Sequence, residues 1–127
     1  MGADSPLDEH FHQPRNAGLL EDADVEVRVE NPVCGDVLHL YVRRGSVPLE
    51  TGGEAAVVAE VRFQVYGCPA AIAAGSVLTE LVAGADVAGL GRIDADAVSG
   101  ALGGLPPEKY HASALAEDAV RVLLERW

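Results

Sequence analysis

The chain predicts an α+β fold: a three-stranded antiparallel sheet with helices packed on one face. Three observations carry this. Alternating apolar and polar residues recur in three runs before residue 66, and short links join the runs. After Cys68 the apolar spacing changes from a period of two to a helical one. The strands all precede the main helices, which separates the two kinds of structure along the chain. At 127 residues the chain has room for one core.

Residues 1–9 are small and polar and are expected to form a flexible N-terminus, with a single domain over 10–127. His10 to Gly18 contains Pro14, Asn16 and Gly18 without a clear period, which reads as a structured turn. Val25, Val27 and Val29 alternate with Glu26, Arg28 and Glu30 in a first strand that Pro32 ends. Leu38, Leu40 and Val42 alternate with His39, Tyr41 and Arg43 in a second. Gly45 to Gly53 reads as a loop. Val57, Ala59, Val61, Phe63 and Val65 form one face of a third strand, opposite Glu60, Arg62 and Gln64. Pro69 suits a first helical turn, and the helix runs through Ile72, Leu78, Leu81 and Val82 to Gly84. Asp94 caps a short helix that reaches Leu102 and stops at Gly103-Gly104. Leu105-Pro106-Pro107 is an extended lead-in to a last helix, with Leu115, Ala119, Val122 and Leu123 on one stripe.

Composition narrows the function. The formal net charge is −11, which argues against nucleic acid, whose phosphates select for Lys and Arg. No apolar stretch reaches bilayer length and no leader pattern is visible, so no membrane is expected and the expected location is cytoplasmic. Two cysteines do not make a disulfide framework. No nucleotide fingerprint or nucleophile elbow is present, and the chain is not expected to be an enzyme.

Both cysteines have particular settings. Cys34 lies in a turn between Asn31-Pro32 and Gly35-Asp36, either pointing outward or acting as a small apolar residue under a loop. Cys68 closes a strand and opens a helix. There the helix dipole and free amides favour a thiolate; a buried thiol beneath the helix start is the alternative. His111 opens the last helix, and neutral imidazole is a common metal ligand. Asp36 by itself reads as a turn residue. Together Cys34, Asp36, Cys68 and His111 make a four-ligand set for a soft or borderline metal. His10, His12 and His39 have no comparable setting, and His39 reads as solvated.

From His10 to the C-terminus the motifs come in a telling order. They are His10-Phe11 with Pro14-Arg15-Asn16-Ala17-Gly18, Glu30-Asn31-Pro32-Val33-Cys34-Gly35-Asp36, Phe63 with Gly67-Cys68-Pro69-Ala70-Ala71, and Leu105-Pro106-Pro107-Glu108-Lys109-Tyr110-His111 with Ser113. This series resembles the U-type iron–sulfur cluster scaffold family (IscU, NifU, SufU). The spacing from Cys68 to His111 is similar to the IscU/NifU branch. The resemblance implies an exposed site that holds zinc (Zn2+) or a labile [2Fe-2S] cluster on Cys34, Asp36, Cys68 and His111. Asp36 would keep the cluster transferable. The implied partners are a cysteine desulfurase that supplies sulfur and acceptor apo-proteins that take the cluster, with a homo-oligomer among the expected assemblies. Two other roles compatible with the resemblance are a zinc-binding sulfur acceptor or modulator of a desulfurase, and a degenerate member acting only through protein contacts.

Three residues depart from the family pattern. Ala112 stands where a third cysteine is expected, so a cluster would have two thiolates, one carboxylate and one imidazole, and would be more labile. Glu108 replaces the valine of a segment read by a dedicated chaperone. Phe11 keeps the ring but not the phenol of a tyrosine.

Overall fold

The computed structural model describes residues 5–33 and 35–127. Three strands, β1 (Val25–Glu30), β2 (Val37–Pro48) and β3 (Glu54–Tyr66), pair antiparallel in the order β1-β2-β3. The helices are α1 (Pro6–His12), α2 (Pro69–Val82), α3 (Val87–Leu90), α4 (Ala95–Ala101) and α5 (His111–Arg126), with a 3-10 turn at Pro107–Lys109. The α+β meander expected from the sequence is the one observed. α2 packs on β3, and α5 packs on β1 and β2. Leu38, Leu40, Val42, Val61 and Phe63 face them, and Ala73, Leu78, Ala116 and Leu123 close the core from the helix side. α2 is buried on most of its circumference, as a helix rich in alanine and short of charge should be. Among the described residues no helix is long and apolar enough to cross a membrane.

The structure corrects three expectations. First, residues 6–9, expected to be flexible, belong to helix α1, which also replaces the expected turn as far as His12. Ser5 accepts the Asp8 amide at 3.0 Å, Pro6 fills the first turn, and Leu7 and Phe11 pack against the core. The signal was the Ser5-Pro6-Leu7-Asp8 start, whose serine and acidic residue three positions on are a capping pattern.

Second, β2 continues to Pro48 and pairs with β3 down to Glu54, so the loop covers only residues 49–53. The Leu49 amide donates to the Gly53 carbonyl and the Gly52 amide donates to the Leu49 carbonyl, which closes it. Third, β3 does not keep one face throughout. Arg43 pairs with Glu60 but Arg44 pairs with Val58, leaving Ala59 as an extra residue in a bulge. The bulge inverts the alternation: Val58 is buried with Val61 and Phe63, whereas Ala59 is exposed.

Two segments outside the sheet use the outer edge of β3. Gly84 and Ala85 bond both backbone groups of Val58, and Asn16 and Gly18 bond both backbone groups of Phe63. The other ends of the fold gather near one point. The β1–β2 connection, the end of β3 with the start of α2, and the start of α5 bring together residues far apart in sequence.

Candidate metal centre

Each side chain of the site is placed by the end of an element. Asp36 enters β2 from the tight β1–β2 connection. The Asn31 amide donates to the Asp36 carbonyl at 2.8 Å, and the Gly35 amide donates to the Asn31 carbonyl at 2.7 Å. Gly35 takes φ +75, a left-handed conformation suited to glycine. Cys68 is the N-cap of α2, extended at φ −72 and ψ 166, with Pro69 behind it. Its amide donates to Asp36 Oδ1 at 3.3 Å, the bond to the N-cap amide that a glutamate or glutamine three residues into the helix makes in a capping box. His111 is the first residue of α5, positioned by the turn over Pro107–Lys109.

The three side chains meet. Cys68 Sγ lies 3.7 Å from Asp36 Oδ2 and 3.7 Å from His111 Nε2. His111 Nε2 lies 3.3 Å from Asp36 Oδ2. Asp36 is 4% exposed, while Cys68 and His111 are half-buried. These separations test whether a metal fits. Ligand bonds of 2.0–2.3 Å in a tetrahedron put neighbouring donor atoms about 3.3–3.8 Å apart. The sulfur, oxygen and nitrogen therefore already stand at the edge lengths of a tetrahedral face. Cys34, the fourth ligand expected from the sequence, lies outside the described residues.

The geometry also bears on a nucleophile–base reading of Cys68 with His111. In a relay the base meets the nucleophile through one ring nitrogen and its orienting carboxylate through the other. Here Cys68 and Asp36 both approach Nε2 of His111. Convergence on one nitrogen is what ligands around a shared ion do.

A residue that the sequence reasoning missed makes the convergence possible. A Cβ on Gly67 would stand 2.6 Å from Asp36 Oδ1 and 2.8 Å from its Cγ. Only glycine lets the carboxylate lie against the turn before Cys68. The signal was present as the glycine in Gly67-Cys68-Pro69, directly before the helix cap.

Other candidates fall elsewhere. His10 is tied to Ser76 and Glu80, and His39 stacks against Tyr41 with ring centroids 6.2 Å apart. Ala112 is 1% exposed and belongs to the core. Glu108 and Lys109 are exposed beside the site. Tyr110, next to His111, donates to Asp96 of α4, and this hydrogen bond pushes its phenol up to about 12.

Comparison with known proteins gives the chain's family. Residues 5–127 match the NifU-like N terminal domain. The chain is 43% identical over 121 residues to the iron-sulfur cluster assembly scaffold protein IscU 1 of Archaeoglobus fulgidus, covering 95% of this chain and 72% of that protein. It is 35% identical over 119 residues to the scaffold protein IscU of Haemophilus influenzae, covering 91% of this chain and 87% of the relative. In fold it is similar to a crystal structure from Fervidobacterium islandicum described as an iron-sulfur cluster assembly scaffold for the SUF system. That likeness has a TM-score of 0.69 at 17% identity and covers 94% and 93% of the two chains. The family match spans nearly the whole chain, and it shows that the chain belongs to the NifU-like N-terminal domain family.

Proposed function

We propose that this protein is an iron–sulfur cluster assembly scaffold: it holds a [2Fe-2S] cluster as cargo on Cys34, Asp36, Cys68 and His111 and passes it to acceptor proteins. The observation that carries the reading is the meeting of Asp36, Cys68 and His111 from three separate elements at metal-ligand spacings. Each residue has a task in this reading. Cys68 supplies a soft thiolate. The N-terminal amides of α2 behind it favour negative charge at that point. His111 supplies a neutral nitrogen. Asp36 supplies a hard oxygen, the donor that soft iron–sulfur cargo holds least firmly, which suits release. The partial exposure of Cys68 and His111 leaves cargo accessible to a partner.

A cysteine desulfurase would bring the sulfur and apo-proteins would take the cluster, in the cytoplasm. The chain acts as a carrier in this scheme. With Ala112 in place of a third thiol, the cluster has weaker donors and a shorter lifetime than on a three-cysteine site.

Anaerobic reconstitution with ferrous iron and sulfide tests the reading. The parent should gain the visible absorption of a [2Fe-2S] cluster and transfer it to an apo-ferredoxin. His111→Ala should lose its cluster. A parent that keeps zinc but forms no cluster would overturn the scaffold role and leave a zinc-binding modulator.

A further inference from the structure

His111 reaches the metal centre from the first residue of α5, and no side chain caps that helix start. Tyr110 stands at the N-cap with helical angles, φ −64 and ψ −22, and makes no side-chain cap bond. The first turn of a helix frays unless something outside it supplies a hold. A side chain that binds a ligand without rearrangement has to stand within about 0.5 Å of its place. At the head of α2 the Cys68 amide has the Asp36 carboxylate. The head of α5 needs a hold of its own.

That hold comes from α4. The Tyr110 phenol donates to Asp96 Oδ1, in the first turn of α4. The two neighbouring carboxylates are engaged elsewhere. Asp94 caps α4 through the Ala97 amide at 2.8 Å, and Glu117 takes the Ala95 amide at 2.8 Å and pairs with Arg121. Among the described residues Asp96 has no partner besides Tyr110.

α4 is a firm support for such a hold. Ala95, Val98 and Leu102 are buried in the core, and α4 packs on both α5 and α2. Its bond from Ala95 to Glu117 ends in the second turn of α5, so each helix holds the head of the other. The link between them is also tied where it leaves α4. Ser99 accepts the Leu105 amide on Oγ and the Gly104 amide on its carbonyl, both at 2.8 Å. Pro107, Glu108 and Lys109 lie exposed between that tie and Tyr110.

We propose that Asp96 is a positioning residue for the metal centre: by holding the Tyr110 phenol it keeps the first turn of α5 wound and His111 in place beside Cys68 and Asp36. This role rests on His111 being a metal ligand. Asp96 itself touches no ion and acts through Tyr110 and His111.

Zinc affinity, measured by competition with a chelator, and amide exchange of the apo chain test the role together. Asp96→Ala and Tyr110→Phe should each weaken zinc binding about three- to tenfold, at the low end of what outer-shell partners give. Combined, they should weaken it no further, because both remove the same bond. Asp96→Asn keeps an oxygen that accepts from the phenol and should restore most of the affinity. In a His111→Ala background, Asp96→Ala should change the affinity by less than about twofold, since the ligand it positions is gone. In the apo chain the Ser113 and Ala114 amides, which bond to the Tyr110 carbonyl at 3.0 and 3.2 Å, should lose protection in Asp96→Ala relative to the buried Leu123 further along α5.

Three results would each overturn the proposal: an equal loss of affinity in the His111→Ala background, a loss in Asp96→Asn as large as in Asp96→Ala, or first-turn amides that keep the parent's protection. Should Asp96→Ala fail to fold, Tyr110→Phe decides, because it removes a single oxygen. Zinc affinity indifferent to His111→Ala would remove the ligand reading and the proposal with it. Affinity that depends on His111 but ignores Asp96→Ala would remove the proposal alone.

Discussion

Gly67→Ala should damage the metal centre without touching a ligand. The new methyl would stand 2.6 Å from Asp36 Oδ1, 2.8 Å from Cγ and 3.1 Å from Cβ, so the whole carboxylate side has to move. Asp36 is too buried to swing into solvent. Overpacking of this kind costs about 1–3 kcal/mol. Displacing Oδ1 also removes its bond to the Cys68 amide, and a bond to a charged group contributes about 1.5 kcal/mol or more. Against this, alanine restricts the unfolded chain and returns about 0.5 kcal/mol. The balance is a loss of about 2–4 kcal/mol, and a domain of this size should then melt about 8–16 °C lower. Zinc affinity, measured by competition with a chelator, should fall about tenfold or more because Oδ2 leaves its place beside Cys68 and His111. The decisive comparison repeats the change in an Asp36→Ala background, where the clash is gone. If Gly67→Ala lowers the melting temperature equally in both backgrounds, the close approach of Asp36 is not what requires glycine, and the reasoning is refuted.

Two further outcomes are expected. Ser113 is fully buried, and its hydroxyl has no hydrogen-bond partner among the described residues, so Ser113→Ala should raise the melting temperature by a few degrees, for a gain of about 1 kcal/mol; a drop on thermal denaturation would show that the hydroxyl is satisfied. The phenol of Tyr110, held up to about 12 by its bond to Asp96, keeps its proton in the folded chain where an unfolded tyrosine loses it. Stability should therefore decline as the pH rises from about 10 towards 12, and Tyr110→Phe should flatten that decline in alkaline denaturation curves.

The sequence made the outline legible because local and long-range signals agreed there. Val25-Val27-Val29 and Leu38-Leu40-Val42 each alternate without interruption, and both runs are strands with those residues inward. Pro69 behind Cys68 marked the start of α2 to the residue. Asp36, Cys68 and His111 could be grouped from chemistry and from the family resemblance before any distance was known. The failures have physical reasons. The bulge at Ala59 could not be read from β3, because it answers to a pairing choice made against Arg43 and Arg44. Gly45 lies close to it, where a Cβ would be 2.9 Å from that of Ala59, so a larger residue at position 45 would press on the bulge. Helix α1 is shorter than an isolated helix can sustain, and it exists because Phe11 and His10 find partners on α2 and in the core. Gly67 looked like punctuation between a strand and a helix. Its importance lies in a carboxylate approaching from more than thirty positions earlier in the chain.

That sequence separation has a consequence for an occupied site. Asp36 and Cys68 are 32 residues apart, and Cys68 and His111 are 43 apart. An ion or cluster bound to all three ties the mouth of a hairpin, the head of the central helix and the head of the last helix into one knot, as a cross-link would. The loaded chain breathes less than the empty one, because any opening that separates those three ends must first surrender the cargo. A partner protein could then distinguish full from empty by how readily these ends come apart, without any difference in the average shape it meets.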